Sequence, residues 1–199
     1  MKLIFLSLFS FSLLFSKTFV YECQDNKHFV IKIDNAEAWL FTKEISTSLV
    51  RVASASGQKY EKEGVRFFSE GYEAMLDTPN EHYKMCMNNR YKAIWEDAKL
   101  RGNDFRASGN EPGWYLEIAE RGKKTLLVTD YGKEKYELVL PRPYSSHNNR
   151  TLRYRIQGFL DILIENKTCS DSMTGHRLES SVHVNILGKS YKGCGKYLH

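Results

Sequence analysis

The stretch HFVIKIDNAEAWLFTKEISTSLVRVASASGQKYEKEGVRFFSEGYEAML, residues 28–76, decides how the first part of the chain folds. Within it HFVIKI, AWLFT, SLVRVAS and GVRFFS alternate apolar and polar side chains, the period of a strand with one face buried. Turn-forming DNK (25–27), DNAE (34–37), SGQK (56–59) and SEG (69–71) separate these runs at hairpin spacing. The reading is short antiparallel strands. A segment of about 70 residues cannot bury a large core. Closing the sheet on itself removes its exposed edges, and a covalent staple between its ends offsets the weak core. A small stapled β-barrel is predicted.

The cysteines supply the staple. There are four, Cys23, Cys86, Cys169 and Cys194, and four allow three pairings. Two bracket the barrel segment and two lie near the C-terminus, so Cys23 with Cys86 and Cys169 with Cys194 gives each half its own bridge. A metal site is the rival use of cysteine, but no C-x-x-C or nearby Cys/His cluster is present, and no metal is expected. Bridges need an oxidising compartment, and the first residues point to one. Residues 3–16, LIFLSLFSFSLLFS, carry no charge, follow Lys2 and run into polar KTFVYECQDNK, the pattern of a secretory signal peptide with Ser16 as its last residue. The apolar run is shorter than the roughly 18–20 residues a membrane-crossing helix needs. Val20, Tyr21 and Glu22 before Cys23 are not the small residues of a lipoprotein signal. The expectation is a periplasmic protein, cleaved after residue 16 and not lipid-anchored.

Composition agrees. At 199 residues, 42% hydrophobic and 27% charged, the chain is of globular type, neither disordered nor polytopic. Its formal charge of +5 conceals a division: residues 21–88 hold 8 Lys/Arg against 11 Asp/Glu, and residues 89–199 hold 19 against 13. An acidic module (17–88) and a basic one (89–199) are expected to meet different surroundings.

The order YEC near the start, SASGQKY at 54–60, FFSEGYEAML at 67–76 and YKMC at 83–86 resembles the family of membrane-bound inhibitors of C-type lysozyme, MliC, over roughly residues 18–88. The resemblance implies an eight-stranded antiparallel barrel with a disulfide joining its ends. It also implies a Ser-Gly-x-x-Tyr loop that enters the lysozyme active-site cleft. C-type lysozyme is therefore the expected partner, and Ser56, Gly57, Tyr60 and Glu70 are the candidate lysozyme-binding residues.

The loop has a physical rationale of its own. A retaining lysozyme works with two carboxyl groups about 5 Å apart, one protonated and one ionised. A hydroxyl such as Ser56 can donate to the carboxylate and accept from the acid, and Gly57 lets the backbone project narrowly. Tyr60 is read as packing at the base of the loop and holding its shape. One position departs from the family: a lysine typically precedes the glycine of F-W-S-K-G-x-E-A and makes a second contact in the cleft, whereas here Glu70 precedes Gly71. Like charges within about 4–6 Å disfavour ionisation, so Glu70 works against binding. Lys59 and Lys62 are candidate replacement cations. The acidic balance of the module favours encounter with basic lysozymes.

Beyond the barrel, NNRYKAIWEDAKLRGND (88–104) predicts a helix with an apolar stripe of Tyr91, Ile94, Trp95 and Ala98, stopped at Gly102-Asn103. The remainder reads as a second β-rich domain: WYLEIAE, KTLLVTDY, KYELVLP, LRYRIQG, FLDILIE, SSVHVNILG and SYKGCGKYL alternate or nearly so. DFRASGNEPGWYLEI (104–118) and residues 169–195 are similar to an uncharacterised family of bacterial exported proteins, which implies no activity. GNEPGW reads as a turn opening a core strand. Asp171 has Ser172, His176 and His183 as conceivable partners, but no G-x-S-x-G or H-E-x-x-H pattern accompanies them. Neither a P-loop nor a dinucleotide fingerprint is present, so no cofactor is expected and the protein is read as a non-enzyme.

Arg142, Arg150, Arg153 and Arg155, near Tyr144 and Tyr154, are candidates for contact with anionic envelope polymers or lipid head groups. Export argues against nucleic acid, and none is expected as a partner. Two function classes result: a lysozyme inhibitor acting through the Ser56 loop, and a non-inhibitory envelope-binding or structural protein whose basic domain contacts anionic components.

Overall fold

The computed structural model describes residues 16–146 and 150–199. The apolar leader read at residues 3–16 thus lies, but for Ser16, outside the described residues. The chain divides into two compact units, one up to Asp97 and one from Ala98.

Eight strands form the first unit: β1 (Lys17–Glu22), β2 (His28–Asp34), β3 (Glu37–Phe41), β4 (Ser46–Val52), β5 (Gln58–Lys62), β6 (Val65–Glu70), β7 (Glu73–Asp77) and β8 (His82–Asn88). Each pairs with the next, and β8 pairs back with β1, giving the closed antiparallel barrel. The alternation does the folding. Phe29, Ile31 and Ile33 of β2, Ala38 and Leu40 of β3, and Val65 and Phe67 of β6 point inward. An aromatic cluster fills the centre, with the Phe29 ring 5.1 Å from Tyr21, 6.0 Å from Phe67 and 5.6 Å from Tyr83. The closing seam is short. Between β1 and β8 only Tyr21–Asn88 and Glu22–Met87 are in register, against six pairs between β1 and β2. The Cys23–Cys86 disulfide sits beside that seam and reinforces the ladder with fewest bonds.

Asn89 begins the helix α1 (Arg90–Leu100) by accepting the Lys92 N–H at 3.0 Å on its side-chain oxygen, an N-cap. The same residue holds the helix start to β1: its backbone N–H reaches Val20 O at 2.7 Å and its amide reaches Glu22 Oε2 at 3.0 Å. Lys92 also pairs with Glu22, and Thr18 Oγ1 donates to Asp97 Oδ1 at 2.7 Å. Trp95 and Ala98 of the expected stripe are buried, but Ile94 is 50% exposed. Tyr91, Trp95 and Ala98 follow one line at i, i+4 and i+7, and Ile94 falls beside it and faces water. The helix ends where the Gly102 N–H bonds to Lys99 O at 2.9 Å.

The second unit is a curved antiparallel half-barrel. Its strands are β9 (Asn103–Asn110), β10 (Gly113–Ala119), β11 (Lys124–Thr129), β12 (Glu134–Leu138), β13 (Tyr144–Ser145), β14 (Thr151–Ile156), β15 (Leu160–Glu165), β16 (Cys169–Ser170), β17 (Arg177–Leu178), β18 (Ser180–Ile186) and β19 (Lys189–Tyr197). Nine form one sheet in the order β12-β11-β10-β9-β19-β18-β15-β14-β13, and β16 and β17 form a separate ribbon. Trp114, Leu116 and Ile118 of β10 pack with Ile162 and Ile164 of β15 and Val182 and Val184 of β18. The seven strands expected from alternation are all present. The strand β9, NDFRASGN, was not legible because its polar and glycine residues mask the two inward side chains, Phe105 and Ala107. The Cys169–Cys194 bridge ties the β16–β17 ribbon to β19. Gly109 permits a close crossing there: a Cβ on it would lie 2.2 Å from Lys192 O and 2.3 Å from Trp114 Nε1. Among the described residues no helix is long and apolar enough to cross a membrane.

Candidate functional site

Residues 53–57 connect β4 to β5 at one end of the barrel. The strands beneath hold the loop by the register pairs Arg51–Tyr60 and Val52–Lys59, and β5 continues into β6 through Gln58–Ser69 and Lys59–Phe68. The loop is tightened from within, because Ser54 Oγ donates to Ser56 O.

Gly57 has φ +61° and lies against β6, where a Cβ would come within 2.4 Å of Ser69 O and 3.1 Å of the Phe68 ring. Both the left-handed backbone and the close approach require glycine. Ser56 and Gly57 are exposed at the tip.

Tyr60 is placed differently from the other three. It is 1% exposed, lies in the barrel core with its ring 6.2 Å from Phe67, and donates its hydroxyl to Asn35 O at 3.3 Å. Burial pushes its phenol pKa up. It braces the loop from inside and presents no surface to a partner.

Glu70 stands at the end of β6, exposed, in the hairpin that neighbours the loop. Ser56 Oγ donates to Glu70 Oε2 at 3.5 Å. Across the β6–β7 ladder Glu70 is opposite Glu73, a like-charge pair of the kind that weakens a sheet. The two-residue turn between them is Gly71-Tyr72, with positive φ at Gly71, the arrangement of a II′ hairpin turn.

Neither lysine considered as a replacement cation stands free at this end. Lys62 belongs to the opposite end of the barrel, beside the β5–β6 turn, in register with Val65. Lys59 is beneath the loop but bonded to Glu61 at 2.7 Å. A cation that does stand at this end is Arg90, the first residue of α1. Its guanidinium stacks 4.7 Å above the Tyr72 ring, and Nη2 donates to Tyr72 Oη at 3.0 Å. Sequence reasoning missed it because Arg90 and Tyr72 are 18 residues apart and are brought side by side by the β7–β8 pairing, extended by the Asn88 N–H to Tyr72 O bond of 2.9 Å.

The motifs of the second unit resolve into structure. Asp171 accepts the Met173 and Thr174 N–H groups at 3.0 and 2.8 Å and the Thr174 hydroxyl at 3.0 Å. Burial opposes its charge, but the Thr174 and Met173 bonds outweigh burial and hold its pKa below the usual carboxylate range. It is a turn-forming acid. Glu111 and Pro112 make the two-residue turn between β9 and β10, and Trp114 is buried with Nε1 on Lys192 O at 3.0 Å. Of the basic cluster, Arg153 and Arg155 both pair with Asp161, and Tyr154 is buried whereas Tyr144 is exposed.

Residues 21–85 match the family described as membrane-bound lysozyme-inhibitor of c-type lysozyme, MliC, whose description names an inhibitor rather than an enzyme. The matched segment runs from β1 into β8 and stops before Arg90. No curated protein and no solved structure matches the chain.

Proposed function

We propose that this protein is an exported, periplasmic inhibitor of a C-type lysozyme that blocks the active-site cleft with the Ser56-Gly57 loop. The observation that carries the reading is the built state of the loop: Gly57 is seated against Ser69, Tyr60 braces it from the core, and Ser56 stays exposed at the tip. A loop already ordered loses little entropy on binding. The family match at residues 21–85 supports the same reading. Ser56 supplies a hydroxyl to the paired carboxyl groups of the enzyme, and Arg90, held on Tyr72, supplies a cation at the same end of the barrel.

A second reading, a non-inhibitory envelope-binding protein, is favoured by the acidic tip, where Glu70 engages the Ser56 hydroxyl and faces Glu73. A peptidoglycan-clearing assay with purified chain lacking residues 1–16 separates the two. Inhibition that falls with Ser56→Ala and Arg90→Ala supports the first; undiminished lysis at high micromolar protein leaves only the second.

A further inference from the structure

The second unit carries a groove of about 660 Å³ whose walls include Tyr144, Arg155, Gln157, Asp161, Asn185 and Leu187. Two hairpin turns, β14–β15 and β18–β19, form one end of it, and the Leu187 N–H bonds to Phe159 O at 3.0 Å, locking one turn to the other. The groove is preformed.

Its electrostatics are also arranged in advance. Asp161, with a side chain 17% exposed, accepts Arg153 through Nε at 2.8 Å and Nη2 at 2.6 Å, and accepts Arg155 through Nε at 3.1 Å. One carboxylate thus orients two guanidinium groups and neutralises one of them. Arg153 is engaged side-on and carries no surplus. Among the described residues Arg155 bonds to Asp161 through Nε alone, which leaves its two terminal nitrogens to the groove it lines. Such a fork matches a carboxylate or phosphate with two parallel bonds. Tyr144 is 75% exposed on the wall and offers an aromatic ring to the groove. Gln157 and Asn185 add side-chain amides, each with donors and an acceptor.

We propose that this groove binds an anionic sugar unit of a glycan, with the sugar ring on Tyr144, its charged group on the Arg155 fork and its hydroxyls on Gln157 and Asn185. The combination selects this chemistry. A single surplus positive charge answers one anionic group, amides answer hydroxyls, and the negative face of an aromatic ring attracts the C–H face of a sugar. A concave groove that sets Arg155 and two amides beside Ile156 and Phe159 is ill-suited to a flat lipid surface. The site lies wholly in the second unit and is independent of the inhibitor reading.

Calorimetric titration and amide chemical shifts of the full chain test it. The probes are a hexuronate oligosaccharide, the same oligosaccharide as its neutral methyl ester, a hexose phosphate and anionic phospholipid vesicles. Binding of either charged sugar with shifts at Gln157 and Asn185, and at least tenfold weaker binding of the ester, is expected. Preference between uronate and phosphate then identifies the source of the charge. Arg155→Gln is expected to weaken binding at least tenfold and Tyr144→Ala about fivefold, with the dispersion of the amide spectrum retained, while Lys133→Gln, outside the groove, leaves affinity unchanged. Equal affinity for the ester, unchanged affinity in Arg155→Gln, no movement of groove amides with any sugar, or vesicle binding in preference to sugar would each overturn the proposal.

Discussion

Ser56 donates its hydroxyl to Glu70 across 14 residues of sequence, joining the β4–β5 loop to the β6–β7 hairpin at a distance of 3.5 Å. The bond is long and exposed, so it holds the hydroxyl only weakly, yet it points the loop at a negative charge. Glu70→Lys frees Ser56, removes the opposition to Glu73 and adds a cation. Inhibition of a C-type lysozyme by this variant is expected to tighten by roughly tenfold, about 1.4 kcal/mol. Its urea midpoint is expected to rise by an amount worth roughly 0.2–1 kcal/mol. Inhibition constants and urea curves measured on the same preparation check both.

Gly57→Ala should be the most damaging single change in the loop. It demands φ +61° of an alanine and drives a Cβ toward Ser69 O. A loss of about 1–3 kcal/mol in stability is expected, with inhibition reduced further because the loop is displaced. Ser56→Ala, by contrast, should weaken inhibition while leaving thermal unfolding within a degree or two of the parent.

Each unit should depend on its own bridge. Replacing Cys23 and Cys86 by serine frees a closure spanning 63 residues, worth about 4 kcal/mol on chain-entropy grounds. The short β1–β8 seam has little to offset that loss. Replacing Cys169 and Cys194 frees a closure of 25 residues, about 3.5 kcal/mol. Hydrogen exchange read unit by unit is expected to show the first pair of changes loosening the barrel and the second loosening the region of β16, β17 and β19.

Glu22 gives the barrel a pH-dependent contact. The Lys92 side-chain bond is the main influence holding its carboxyl below the usual value of 4.5, followed by the Asn89 bond, against a smaller opposing effect of burial. A carboxyl whose folded pKa is lowered stabilises fully above its unfolded pKa and loses that contribution as pH falls through the folded value. Glu22→Gln is therefore expected to lower the urea midpoint at neutral pH, with the difference from the parent shrinking below about pH 4.5. A difference that persists undiminished at about pH 2 would contradict the assignment.

The alternation of HFVIKI, AWLFT, SLVRVAS and GVRFFS was sufficient for β2, β3, β4 and β6, because a period of two leaves one set of side chains that must be buried; closure was reached from the exposed edges and the cysteine staple, and the count of eight strands from the family resemblance. Alternation was equally sufficient for seven strands of the second unit. It failed at β9, whose Asn, Arg, Ser and Gly residues are held by β10 on one side and β19 on the other. A strand stabilised by its neighbours' pairing need not display the pattern. The helix was legible from the apolar steps and the Gly102-Asn103 stop, though neither its Asn89 cap nor the exposure of Ile94 was.

By itself the sequence determined the β class of both units, the uneven placement of four cysteines, the Ser56-Gly57 turn and the departure at Glu70. Each of these is local, written in side-chain period or in residue identity. Tertiary structure alone decided that the Tyr60 hydroxyl reaches Asn35 O, that Lys62 lies at the far end of the barrel and that Arg90 joins Tyr72. It also decided that Asp161 takes up Arg153 and directs Arg155 into a groove. Arg90 meets Tyr72 because β8 returns beside β7, and Lys62 lies far off because β5 runs away from the loop; the Asp161 contacts form across the β14–β15 hairpin, where register and strand twist set which guanidinium is engaged side-on.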